Sequence, residues 1–223
     1  MATGKEGWFQ ERYELKDSVD RVLYRNVPRG VGWWYTLGSA TLVTFLLLVV
    51  TGVFLMMNYS PSPDHAYDSV QYIMNSVPFG SLIRSIHFWS ASTMVVLIGL
   101  HTMRTFFMGA YKYPRELTWV VGSLLFILVM LSGFTGYLLP WDQKAYWATN
   151  VGTGIAGQVP LIGSFIQNVL IGGASIGAVT LTRFFTLHVA IIPSLTILLV
   201  GLHIYLVIKV GISAPPGVWG GKK

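Results

Sequence analysis

Four long stretches without a single Asp, Glu, Lys or Arg constrain this chain more than any other feature: residues 37–57, 85–103, 117–141 and 184–208. A hydrocarbon layer about 30 Å thick is crossed by roughly 20 apolar residues in helical form. Inside lipid the backbone must satisfy its own hydrogen bonds, and a helix does so within one segment. The expected fold class is therefore an all-α membrane protein, a bundle of four transmembrane helices. Composition agrees: 53% of the 223 residues are hydrophobic and 11% charged, too little charge to cover a soluble domain. Trp33, Trp34, Tyr35, Trp119, Tyr137 and Trp141 cluster near the ends of these stretches, at headgroup depth. Pro193 interrupts the last one, and neighbouring helices are expected to satisfy the carbonyl it frees.

The net charge of +6 does not mark a nucleic-acid binder, because the basic residues follow the membrane instead of forming one stripe. Lys5, Arg12, Lys16, Arg21, Arg25 and Arg29 precede the first span. Arg104, Lys112 and Arg115 separate the second from the third, and Lys209, Lys222 and Lys223 follow the fourth. Only Arg84, Lys144 and Arg183 fall on the other side. Positive residues collect on the cytoplasmic side, so both termini are expected there. Residues 145–182 are also uncharged, but seven glycines, Pro160, Gln158, Gln167 and Asn168 fit short outer-surface helices better than a fifth crossing.

The expected organisation is an amphipathic cytoplasmic segment at 1–30, the four-helix domain at 31–210 and a short cytoplasmic tail at 211–223. In the first segment Trp8, Phe9, Tyr13, Val19, Val22 and Leu23 recur at helical spacing between charged residues, as in a helix lying on a membrane surface.

Histidine inside a span is costly and points to function. His87 and His101 lie in the second span, His188 and His203 in the fourth. The intervals are 14 and 15 residues, or about 21 to 22 Å at 1.5 Å per residue. At 100° per residue each pair returns to within about 40° to 60° of one face. Both spans run from outside to inside, so His87 matches His188 in outer depth and His101 matches His203 in inner depth. With no cysteine in the chain and no Cys, Asp or Glu beside either pair, zinc is short of ligands. Haem iron needs only two axial ligands, so two stacked bis-histidine haems are expected. Interhelical hydrogen bonding is the competing role for these histidines. His65, among Pro61, Pro63 and Asp64, reads as a solvated loop residue.

Glycine spacing gives a second line. Gly38 and Gly52 in span one, and Gly122 and Gly136 in span three, are each 14 apart. They fall at the same two depths and allow close approach to a flat macrocycle. Arg84 and Arg183 stand before the outer histidines and Arg104 after an inner one, placed to pair with propionates.

The stretches SVQYIM, FGSLIRSIHFWSAS followed by LH at 100–101, YPRELTWVVG, GFTGYLLPWDQ and TLTRFFTLH resemble the cytochrome b family of cytochrome bc complexes, in its short, split b6 form. The resemblance covers nearly the whole chain, and the 15-residue second interval is that of the b6 type. It implies two noncovalent haems b and a subunit inactive alone. The implied partners are a Rieske iron–sulfur protein, a c-type cytochrome and a second cytochrome b fragment of three helices, in a dimeric complex with lipid and quinone.

The resemblance further implies that quinol is oxidised outside, one electron going to the iron–sulfur centre and one through the outer and inner haems to quinone. Protons are then released outside and taken up inside. It implies an outer quinol pocket around Tyr137, Pro140, Trp141, Asp142 and Tyr146, and puts Asp20 and Lys209 at an inner quinone site. Thr36 stands where b6 proteins carry the cysteine that attaches a further haem, so no covalent haem is expected. Ile208 replaces a familiar basic residue. A bacterial cytoplasmic membrane is favoured over a thylakoid. The rival readings are a dihaem anchor for a dehydrogenase or hydrogenase, and a haem-free transporter or assembly subunit.

Overall fold

Each uncharged stretch becomes a helix because nothing in it competes for the backbone and lipid offers no alternative partner. The computed structural model describes Tyr24 and residues 27–215. Asp20 and nearly all of the expected amphipathic segment, together with the last eight residues, lie outside the described residues. A short 3₁₀ turn, Trp33–Thr36, leads into α1 (Leu37–Met56). There follow α2 (Ala66–Asn75), α3 (Gly80–Phe107) and α4 (Glu116–Tyr137). Between the third and fourth spans come α5 (Gln143–Gly157) and α6 (Gly163–Ile171). The last span is composite: α7 (Ala178–Thr186), a π turn (Leu187–Ile191) and α8 (Ile192–Val210). Four segments are long and apolar enough to cross a membrane: Trp33–Met56, Gly80–Phe107, Glu116–Tyr137 and Ala178–Val210. The chain is thus an all-helical, multi-pass membrane protein.

The second and fourth spans extend further than their uncharged cores. Arg84 sits inside the first turns of α3, and Arg183 inside α7. Long cationic side chains at a span end reach the interface, so neither charge stops its helix. The sequence also concealed α2, whose Val70 and Ile73 are buried behind the proline-rich approach. His65 is its exposed N-cap residue. A corner at Phe79, in left-handed backbone (φ 59°), turns α2 into α3. Gly80 is required there, because a Cβ would fall on the Ile73 carbonyl.

Packing pairs the spans. The first lies along the second and the third along the fourth, with a lighter contact between the second and third. The histidine-bearing spans, the second and the fourth, are not closely packed on each other, which leaves a slot between the two helix pairs. Thr44, Thr51, Thr135 and Thr196 are buried on the inner faces. Each hydroxyl donates to a carbonyl one turn back on its own helix (2.6–2.9 Å), so none is left unsatisfied. Leu46, Leu47, Val50, Phe54 and Leu198 face outward, as suits a lipid solvent.

Candidate haem-binding centre

His87 and His188 come together, their ring centroids 6.3 Å apart and nearly perpendicular (75°). His101 and His203 are electrostatic neighbours at the other end of the slot. An imidazole nitrogen binds a metal at about 2 Å, so two rings flanking one ion stand with centroids about 6 Å apart. Among the described residues no cluster of three or more His, Cys, Asp or Glu side chains could hold a bare metal ion. A pair at this separation therefore suits an ion that brings its own equatorial ligands.

Tautomers are set by the neighbours. The Thr51 hydroxyl gives its one proton to the Leu47 carbonyl (2.6 Å), so it accepts from Nδ1 of His87 at 2.9 Å. His188 donates Nδ1–H to the Ser132 carbonyl at 2.9 Å. Both outer histidines thus keep Nε2 unprotonated and free for iron. His203 turns Nδ1 toward the Thr118 backbone without closing a full hydrogen bond. Thr51 and Ser132 were missed from sequence, although a polar residue next to a slot glycine (Thr51 before Gly52) or one helical turn from one (Ser132 before Gly136) was the available signal.

The four glycines meet the histidines one to one. A Cβ on Gly38 would stand 3.2 Å from the His101 ring, on Gly52 3.3 Å from His87, and on Gly122 3.2 Å from His203. On Gly136 it would run into the His188 ring. The expectation that these glycines make room at two depths is refined here, since what they admit is the imidazole of the facing helix.

The arginines divide. The Arg104 guanidinium lies 3.5 Å above the Tyr35 ring, and its Nε and Nη2, like the Tyr35 hydroxyl, are buried without a partner among the described residues. Orphaned donors beside the inner pair fit a carboxylate-bearing group. Among the described residues Arg84 has only the weak acceptor Met74 Sδ, at 3.5 Å. Arg183 instead donates to the carbonyls of Asn168 and Val169 near the end of α6. It also lines an apolar groove with Thr186, Leu187 and Ile191.

Past α4, Asp142 caps α5 by accepting from the Ala145 N–H (2.8 Å). The Trp141 and Tyr146 rings meet edge-on at 6.3 Å, while Tyr137 is half-exposed at the end of α4. Pro140 lies in the turn between them. Tyr59, another residue unmarked in the sequence, pins this turn by donating to the Leu139 carbonyl (2.7 Å). At the end of α8 Lys209 is exposed, its Nζ 5.7 Å from the Tyr205 ring. Arg115 ties down the chain beyond it through the carbonyls of Gly211 (2.9 Å) and Ile212 (3.3 Å).

Known proteins match this arrangement closely. Residues 22–211 match the family described as cytochrome b/b6/petB. Cytochrome b6 of Prochlorococcus marinus (strain NATL1A) is 45% identical over 208 residues, 93% of this chain and 95% of its own. Cytochrome b6 of Synechococcus sp. (strain WH7803) gives the same identity and coverage. Among solved structures, a chain of a hyperthermophilic respiratory complex III superposes with a TM-score of 0.87 at 36% identity. That match covers 97% of this chain and 58% of the solved one. With a family match over most of its length and these relatives, the chain belongs to the cytochrome b/b6 family.

Proposed function

We propose that this chain is the cytochrome b subunit of a quinol oxidoreductase complex of the bc type, seated in a bacterial cytoplasmic membrane with both termini inside. One observation carries the reading: two imidazole pairs at two depths of a four-helix slot, the outer with centroids 6.3 Å apart, each ring seated on a glycine of a neighbouring span. His87 and His188 would hold an outer haem b, and His101 and His203 an inner one. Two such groups, when bound, supply one-electron carriers that connect an outer quinol-oxidising site with an inner quinone-reducing site. The absence of cysteine confines both to noncovalent binding and excludes a covalent haem at Thr36.

The chain's own residues do the rest. Thr51 and the Ser132 carbonyl orient the outer ligands through Nδ1. Arg104 with Tyr35 neutralises an inner propionate, and Arg84 an outer one. Arg183 joins Arg84 once its guanidinium leaves Asn168 and Val169. Tyr137, Pro140, Trp141, Asp142 and Tyr146 form one wall of the outer quinol pocket, the rest coming from a second cytochrome b fragment. Asp20 and Lys209 serve proton uptake at the inner site. A Rieske protein and a c-type cytochrome complete the complex.

Affinity purification from native membranes tests this. The expected result is co-isolation with a Rieske centre and a c-type cytochrome, two b-type haems per chain, and quinol-dependent cytochrome c reduction. Co-isolation with a lone molybdenum or nickel enzyme would replace the proposal with that of a dihaem anchor.

A further inference from the structure

The two histidine intervals are unequal, 14 residues in the second span and 15 in the fourth, yet they meet partners at equal intervals. Gly122 and Gly136 are 14 residues apart on the uninterrupted helix α4, and they face His203 and His188 respectively. His87, which is 14 residues from His101 on the uninterrupted helix α3, faces His188. Were the fourth span α-helical throughout, 15 residues at 100° each would leave His188 and His203 about 60° beyond a whole number of turns, while 14 residues fall about 40° short. The two spans would then differ by about 100° in the faces that their ligand pairs present.

We propose that the π turn Leu187–Ile191 is a register correction, absorbing the one residue by which the fourth span exceeds the second, with Pro193 fixing its position. A π turn closes its bonds over five residues instead of four, so one turn takes up one extra residue without winding further. From His188 to His203 the span then winds like the 14-residue pair. His188 lies within the turn. Pro193 follows directly, at the start of α8. Its ring lacks an N–H and, in α geometry, would crowd the carbonyl four residues back, that of Val189. Widening the helix across Val189 relieves that clash, which is why the extra residue is taken up here and not further along. Ala190 is exposed on the outer face of the turn, while Ile192 and Thr196 beyond it are buried. The surplus therefore sits on the lipid side and leaves the packed positions in register. Pro193 is on this account a positioning residue for the outer ligand.

The inference rests on the haem-ligating role proposed above, and two deletions in the purified complex test it separately from that role. One removes Ala190 together with Pro193→Ala, leaving a 14-residue interval free to be α-helical. The other removes Val95, also an exposed residue, between His87 and His101, where α3 has no spare residue. Redox-resolved difference spectra and haem-to-protein ratios are the readouts. The Ala190 deletion with Pro193→Ala is expected to keep both b-type haems at the wild-type ratio, and the Val95 deletion to lose at least one. Equal haem content in the two variants, high or low, overturns the register correction, as does the reverse order. Absence of b-type bands from the wild-type complex overturns the haem-ligating role instead.

Discussion

The guanidinium of Arg104 is stacked 3.5 Å above the ring of Tyr35, and both side chains carry buried polar atoms that find no partner among the described residues. Burying a guanidinium with unused donors costs free energy unless an acceptor reaches it. Replacing Arg104 by Gln should weaken inner haem binding about 10- to 100-fold, the equivalent of one charged hydrogen bond of about 1.5–3 kcal/mol. It should also lower the inner midpoint potential, because a nearby positive charge is lost. The outer haem should be unchanged in a redox titration of the complex.

Replacing His101 by Leu should remove the inner haem and spare the outer one, read as loss of one of two b-type components. Loss of both together would mean that the bundle fails without its inner ligand.

Gly136→Ala should abolish outer haem binding, since the added methyl collides with the His188 ring. Gly122→Ala, whose Cβ would stand 3.2 Å from His203, should be milder, reducing the inner haem without eliminating it. Gly154→Ala is the control. Nothing lies within 4 Å of its Cβ position, and the change should leave haem content intact while stabilising α5 by up to about 1 kcal/mol.

Thr51→Val removes the acceptor for Nδ1 of His87. An imidazole that donates to an acceptor is a more basic ligand and favours oxidised iron. Its loss should raise the outer midpoint potential by tens of millivolts (about 30 mV per 0.7 kcal/mol for one electron), with the inner one unmoved.

The fourth span, with its neighbours, shows what a sequence can and cannot convey. Its apolar core and the spacing of His188 and His203 follow from composition and from rise per residue, and the structure keeps both, although the helical span Ala178–Val210 is longer than the uncharged stretch 184–208. That Pro193 would need relief was also legible. The form of that relief was not, because a π turn is a compromise among ligand register, a missing N–H and the facing helix, and no single segment encodes it. Arg183 shows a related limit. Its position before His188 suggested the slot, and in the structure its guanidinium donates to the Asn168 and Val169 carbonyls. The glycine-rich stretch was legible as short helices, and α5 and α6 form there, but which side chain their carbonyls would hold was not. The part played by Tyr59 beside α2 was hidden in the same way, since a helix of ten residues behind two prolines carries too short a pattern to stand out, whereas His65 was read as solvated and is exposed.

Tyr59 offers a test outside the spans. Burial raises its phenol well above the ordinary value near 10, so the native state holds the proton more firmly than the unfolded chain does. The sign follows: stability from this group is complete below about pH 10 and falls as the pH rises toward the folded pKa. Tyr59→Phe should cost about 1 kcal/mol at neutral pH through the lost bond to Leu139. It should also flatten the alkaline limb of the Tm–pH curve, measured in detergent.

The inner walls of the slot, made of glycine and of threonines that satisfy themselves, have a consequence for how the protein is made. The first span lies along the second and the third along the fourth, and Met94 and Ile98 of the second span pack with Val129 of the third, but the two histidine-bearing spans do not pack closely on each other. On the function proposed above, the cofactors are then the keystones between those two spans, and the bundle should close fully only where haem is supplied.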